Sequence, residues 1–127
     1  MRNIKTLERV ISYQAAVWTH DGEIGLRTED EAHRSLGAWG VQVTAAPRSD
    51  EISVPCYRLA TLLDLAGFQE VDILKVDIEG AELELFSGGM DDCLDRVKMI
   101  IIETHDRFRP GSEAAVRKAL EPVYDLK

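Results

Sequence analysis

Residues 72–86, DILKVDIEGAELELF, join a strand-like apolar run to a helix-like stretch across one glycine, and residues 97–105, VKMIIIETH, repeat the first half of that pattern. Each run is short, apolar and closed by polar groups: Asp77 and Glu79 after the first, Glu103, His105 and Asp106 after the second. A near-continuous apolar strand is expected to be buried on both faces, as in parallel sheets covered by helices. Two such strands separated by helical segments restrict the chain to the α/β class with a mainly parallel sheet, where ligands sit beyond the carboxyl ends of the strands. Both acid-bearing clusters fall at such ends.

The remaining segments are weaker signals of the same class. Residues 10–17 (VISYQAAV) read as a strand, and Asp21-Gly22 before residues 23–27 (EIGLR) reads as a hairpin turn, because both residues tolerate positive φ. His20 and Asp21 are taken as turn chemistry without a functional role. Residues 28–50 are polar, contain Gly37, Gly40 and Pro47, and read as a surface loop. Ile52 to Val54 is a short strand expected to stop at Pro55, and Leu59, Leu62, Leu63 and Ala66 recur at helical spacing up to a capping Gly67. Gly80 is expected to start the next helix, with Ala81, Leu85 and Phe86 as its buried stripe and residues 87–89 as its stop; a short acidic helical turn follows over residues 91–96. Pro110, with Ser112 as N-cap, is expected to open a last helix through Leu120, and residues 123–127 (VYDLK) read as a strand cut short. The organisation is thus a single truncated domain over 1–127: strand and hairpin (10–27), surface loop (28–50) and a βαβα core (51–127).

Side chains alternate across a strand, so Ile73, Lys75 and Asp77 share one face, with Lys75 and Asp77 roughly 7 Å apart along it. Lys75 either snorkels to neutralise an acid or holds the Asp77 carboxylate for a ligand. Glu79 and Glu82 stand three apart at a helix start, where the macrodipole favours negative charge and where a phosphate would not be received. No G-x-x-x-x-G-K-[ST] occurs in the chain. A site lined by Asp77, Glu79 and Glu103 favours a cation: a sulfonium, an ammonium or hydrated Mg²⁺. His105 stands one residue beyond Glu103's neighbour, so the two face the same side if the strand persists, and a histidine beside a carboxylate can act as a general base.

The formal net charge of −8 argues against nucleic acid as a partner, since phosphate binding relies on a Lys/Arg surface. Cys56 and Cys93 form no C-x-x-C pair and read as reduced, apolar residues, so neither a zinc site nor a disulfide framework is expected. No run approaches the roughly 20 apolar residues of a membrane span, and no signal-peptide core follows Met1. The expectation is a cytoplasmic protein with no membrane partner and no metal.

Four segments in order, YQAAVWTHDGEIGL, VPCYRLATLLD, VDILKVDIEGAELELFSGG and IIIETHDRF, resemble the FkbM family of S-adenosylmethionine-dependent methyltransferases, with LKVDIEGAE the most specific stretch. The resemblance implies a partial Rossmann-like fold of the seven-stranded methyltransferase type. It implies methyl transfer from S-adenosylmethionine to a hydroxyl of a sugar or natural product. Asp77 and Glu79 then look like acids near the reacting methyl and the cofactor, Glu103 and His105 like the pair after the fifth strand with His105 as base, and Lys75 and Glu82 like supporting residues.

The family's cofactor loop, an acid-x-Gly-x-Gly type after the first strand, does not occur here, and Gly37-Ala38-Trp39-Gly40 follows no strand and opens no helix. The resemblance therefore begins at the family's third strand, whose first two strands would lie between the third and the fourth. The expectation is a domain lacking those strands, inactive alone or completed by a partner: a homo-oligomer, a missing N-terminal half, or direct closure of residues 10–17 onto 71–78. Two other readings are open. One is a non-catalytic binding or oligomerisation module. The other is a haloacid dehalogenase-like phosphatase, since DIEGA is similar to Asp-x-Asp-Gly-Thr with Asp77 as nucleophile, although Ala81 replaces the Thr and the motif stands mid-chain.

Overall fold

The computed structural model describes residues 9–27, 42–44, 51–78, 81–88, 90, 92–107 and 109–127. Their strands form two sheets. The first contains β1 (Ala16–Val17), β2 (Gly22–Arg27), β3 (Gln42–Thr44) and β4 (Ile52–Tyr57) in the order β1-β4-β2-β3, and the second pairs β5 (Leu74–Val76) with β6 (Ile100–Ile102). The helices are α1 (Leu59–Ala66), α2 (Glu82–Gly88) and α3 (Ser112–Leu120), with a 3₁₀ turn at Leu94–Arg96.

The α/β class holds, but the larger sheet is mixed rather than mainly parallel. β4 runs parallel to β1 and antiparallel to β2, and β2 is antiparallel to β3. The expected hairpin between residues 10–17 and 23–27 does not form, because β4 lies between β1 and β2 and takes the hydrogen bonds they would have exchanged. Only Ala16 and Val17 of the first apolar run are strand, whereas Val10 and Ile11 are exposed. β4 continues through Pro55 to Tyr57. At Pro55 its paired neighbour is Glu23 of β2, since β1 reaches β4 only at Cys56 and Tyr57, and a proline is tolerated where one side of a strand is open. The expected loop over 28–50 contains β3; residues 28–41, with Gly37 and Gly40, and residues 45–50 lie outside the described ones.

Asp21 connects the first sheet to its helix. The Arg58 N–H donates to Asp21 Oδ1 (2.8 Å) and the Thr61 hydroxyl to Oδ2 (2.8 Å), so a residue from the distant turn caps α1, whose own N-cap Arg58 offers no side-chain acceptor. α1 ends as its sequence predicts, with Gly67 at φ 74° donating its N–H to Asp64.

The second sheet differs most from expectation. β5 and β6 pair in parallel, Leu74 with Ile100, Lys75 with Ile101 and Val76 with Ile102, extended by a bridge between Val71 and Val97. One face, carrying Leu74, Val76, Ile100 and Ile102, packs on Leu59, Leu63, Leu85, Phe86, Met90, Cys93, Leu94, Val116 and Leu120. On the other face Ile73, Met99 and Ile101 are 59%, 54% and 50% exposed. The strands are therefore covered on one face and not on both. A smaller cluster of Trp18, Ile24 and Cys56 lies under the first sheet, and β1 alternates between the two, Ala16 toward this cluster and Val17 toward the larger one. The two sheets are not hydrogen-bonded to each other, so residues 10–17 do not close onto 71–78.

At the C-terminal end Ser112 is the first residue of α3 and not its N-cap. Its hydroxyl donates to the Arg109 carbonyl, while Asp106 Oδ1 accepts the Glu113 N–H at 2.6 Å and does the capping. Residues 123–127 form no strand. The Tyr124 hydroxyl instead lies 2.8 Å from the Leu94 carbonyl and 2.7 Å from that of Val97, tying the end of the chain to the 3₁₀ turn. Cys56 and Cys93 are free and buried; burial pushes the Cys93 thiol up to about 11. No helix among the described residues is long and apolar enough to cross a membrane.

Candidate functional site

β5 and β6 run side by side and end together, the Glu103 N–H donating to the Val76 carbonyl at 3.1 Å. The residues just beyond both ends, with the first residue of α2, bring several ionisable side chains together. Asp77 follows β5; Glu103, Thr104 and His105 follow β6; Glu82 begins α2.

His105 Nδ1 lies 2.6 Å from Glu82 Oε1, and His105 Nε2 lies 4.0 Å from Asp77 Oδ1. Asp77 Oδ2 accepts a hydrogen bond from Lys75 Nζ at 2.6 Å. That bond holds the Asp77 carboxyl below the usual carboxylate range and raises the Lys75 ammonium above its own. Lys75 thus pairs with Asp77 through Oδ2 on the exposed face, leaving Oδ1 toward His105 Nε2.

The environments of the two acids differ sharply. Asp77 stands at the open side, whereas the Glu82 side chain is 0% exposed and that of His105 is 12% exposed. Glu82 Oε2 is buried without a hydrogen-bond partner. An unsatisfied buried polar atom costs roughly 1–3 kcal/mol, more when it is charged.

The segment that carries the histidine is held on both sides. The Arg109 N–H donates to the His105 carbonyl at 3.0 Å, and the Arg109 guanidinium bonds Glu84 on α2. Asp106, next to His105, caps α3 as described. A ring gripped at its nitrogen, at its main chain and through its neighbour is held in one orientation before any ligand arrives.

The structure brings together Asp77, Lys75, Glu82 and His105. It does not pair Glu103 with His105: β6 ends at Ile102, the alternation that would place the two on one side is lost, and Glu103 is exposed. Glu79 and Gly80 lie outside the described residues. The partner that spacing pointed to was two residues away, whereas the one found comes from a separate helix 23 residues away. A signal for Glu82 was present in the sequence. It stands three and four residues before Leu85 and Phe86, on the stripe that α2 buries, where a charged residue needs a reason.

Residues 9–121 match the methyltransferase FkbM domain. A protein named as a methyltransferase in Jannaschia sp. (strain CCS1) is 36% identical over 84 residues, covering 58% of this chain and 29% of that protein. The methyltransferase sdnD of Sordaria araneosa is 40% identical over 50 residues, 38% of this chain and 19% of that protein. The AMB antimetabolite synthetase AmbE of Pseudomonas aeruginosa (strain PAO1) is 35% identical over 66 residues, 52% of this chain and 3% of that protein. The chain thus spans less than a third of the length of these curated relatives. No solved structure matches it.

Proposed function

The chain belongs to the FkbM methyltransferase domain family, and from that premise we propose that it supplies the acceptor side of an S-adenosylmethionine-dependent O-methyl transfer to a hydroxyl of a sugar or natural product. The single observation that carries this reading is His105 held between Glu82 and Asp77 at the carboxyl ends of two parallel strands. The family membership also displaces the phosphatase alternative.

S-adenosylmethionine, when bound, supplies an electrophilic methyl group on a positively charged sulfur. Asp77 and Glu103, acids at the strand ends, suit that positive charge. The adenosine end has no matching cradle among the described residues. Among the described residues the positive-φ glycines are Gly22, Gly67 and Gly111, which respectively begin β2, end α1 and precede α3 after a loop, and none of these forms a strand-to-helix turn.

The chemistry left to this chain is to orient the acceptor and remove one proton. His105 is the base for the acceptor hydroxyl; Lys75 sets the Asp77 carboxylate, and Asp77 orients the incoming group at the open side. General-base assistance of this kind contributes about 10²–10⁴-fold. The test is methyl transfer from labelled S-adenosylmethionine to a panel of sugar and natural-product hydroxyls, alongside calorimetric titration of the donor. His105→Asn is expected to lower transfer by about 10²–10⁴-fold without weakening donor binding. Full transfer by His105→Asn would overturn the role of the base.

A second reading has its own observation. Ile73, Met99 and Ile101 leave an apolar face uncovered, which suits a binding or oligomerisation module completed by a second copy or by a further segment. Sedimentation of the chain alone distinguishes a self-associating species from a monomer.

A further inference from the structure

We infer that Asp106 is a positioning residue for His105: by capping α3 it anchors the turn that carries the ring, so that His105 stays between Glu82 and Asp77. The inference rests on the methyl-transfer reading of the same site and adds to it the residue that places the base. Asp106 acts through the main chain that it shares with His105. The strand ladder ends with the Glu103 N–H bonded to the Val76 carbonyl, so the main chain of His105 needs another anchor. The Arg109 N–H closes one turn on the His105 carbonyl at 3.0 Å, and the Arg109 carbonyl accepts the Ser112 N–H at 3.2 Å and the Ser112 hydroxyl at 2.8 Å. Ser112 is fully buried and opens α3, whose Val116 and Leu120 pack in the larger core with Leu85 and Phe86. The turn is thus attached to the core through the start of α3.

That start needs an acceptor from elsewhere. The first N–H groups of a helix have no partner within it, and the N-cap residue usually supplies a side-chain oxygen to one of them. Here the N-cap is Gly111 at φ 96°, which lets the chain reverse into α3 but offers no side chain. Asp106 Oδ1 fills the place, accepting the Glu113 N–H at 2.6 Å from seven residues back. A carboxylate also suits the positive end of the helix dipole. A cap from the N-cap residue itself would stabilise α3 alone. A cap supplied by the neighbour of His105 makes the position of the base depend on α3.

The ring itself meets α2, where Glu82 Oε1 lies 2.6 Å from Nδ1. The base is therefore set from two helices, its ring by α2 and its main chain by α3 through Asp106. Loss of the cap frees the turn from His105 to Arg109 to move relative to α2. A displacement of about 1 Å is enough to cost a reaction of this kind up to 10²-fold in rate.

The test reads the surroundings of the ring and needs neither donor nor acceptor. In ¹H–¹³C spectra of the full chain, with His105 assigned by its loss in His105→Asn, Asp106→Ala is expected to shift and broaden the ring signals and to remove their cross-peaks to α2 protons. Asp106→Asn, whose amide oxygen can still accept the Glu113 N–H, is expected to restore both. Lys118→Gly weakens α3 at an exposed position away from the cap and is expected to leave the ring signals as in wild type. Unchanged ring signals in Asp106→Ala, or the same change in Lys118→Gly, overturn the inference. Should Asp106→Ala fail to fold, amide hydrogen exchange of the wild-type chain decides. The Arg109 and Glu113 N–H groups are expected to exchange as one unit with equal protection, and an Arg109 N–H that opens while that of Glu113 stays protected overturns the inference. In transfer assays Asp106→Ala is expected to lower kcat by up to about 10²-fold with KM unchanged. A wild-type chain that transfers no methyl would refute the proposed function while leaving the ring spectra and exchange intact, so the two failures are distinguishable.

Discussion

The two faces of the β5–β6 ribbon are built from alternate residues of the same two strands, yet they live in different solvents. Leu74, Val76, Ile100 and Ile102 look onto three helices and a packed core, whereas Ile73, Lys75, Asp77, Met99, Ile101 and Glu103 look outward. On the covered face apolar side chains stabilise the fold. On the outer face equally apolar ones stay exposed, and two of the charged residues there, Lys75 and Asp77, pair with each other. The difference teaches that apolar content in a strand reports which surfaces can be buried, while a second layer decides which are.

Cutting into each face in turn tests this contrast most strongly. Leu85→Ala, beneath the covered face, is expected to cost about 2–5 kcal/mol of stability in urea unfolding. Ile101→Ala on the outer face is expected to stay within about 0.5 kcal/mol of wild type. A comparable loss at both positions would show that the outer face is covered in solution, by another copy or another segment.

A smaller effect probes the fastening of α1 beneath the covered face. Hydrogen bonds from the Arg58 N–H, first, and the Thr61 hydroxyl hold the Asp21 carboxyl below its ordinary value of 3.8. The folded state thus releases this proton more readily than the unfolded one. The contribution is fully present above the unfolded value and is lost as pH falls through the lower folded value. Asp21→Asn is therefore expected to lower the denaturation midpoint at neutral pH, with the gap to wild type closing as both chains are acidified below that range. A gap that persists in acid would refute the cap.

The smallest effect is chemical. Cys93, buried behind the covered face with its thiol raised to about 11, is expected to react with an alkylating reagent only after the chain unfolds. Reaction at the rate of an exposed thiol would show that the covered face opens readily.

Much of the fold was legible because it is local. α1 was marked by the spacing of Leu59, Leu62, Leu63 and Ala66 and by Gly67, which the structure finds at φ 74°. The stripe of Leu85 and Phe86 and the placing of acids at the ends of β5 and β6 were equally local readings. The hairpin failed for the opposite reason. Asp21-Gly22 does turn the chain, but β4, which enters between β1 and β2, comes from some thirty residues later, and no turn motif encodes that insertion.

The sequence by itself determined the α/β alternation, the stretch LKVDIEGAE on which the resemblance to the family rested and the residues available to a site at the strand ends. These depend on backbone periodicity and residue chemistry, which act over a few positions. Only the tertiary structure decided that one face of β5 and β6 is covered, that Asp106 and not Ser112 caps α3, and that His105 meets Glu82 instead of Glu103. Those outcomes depend on where α2 and α3 pack against the sheet. That packing brings together groups distant in sequence, and no local spacing specifies it.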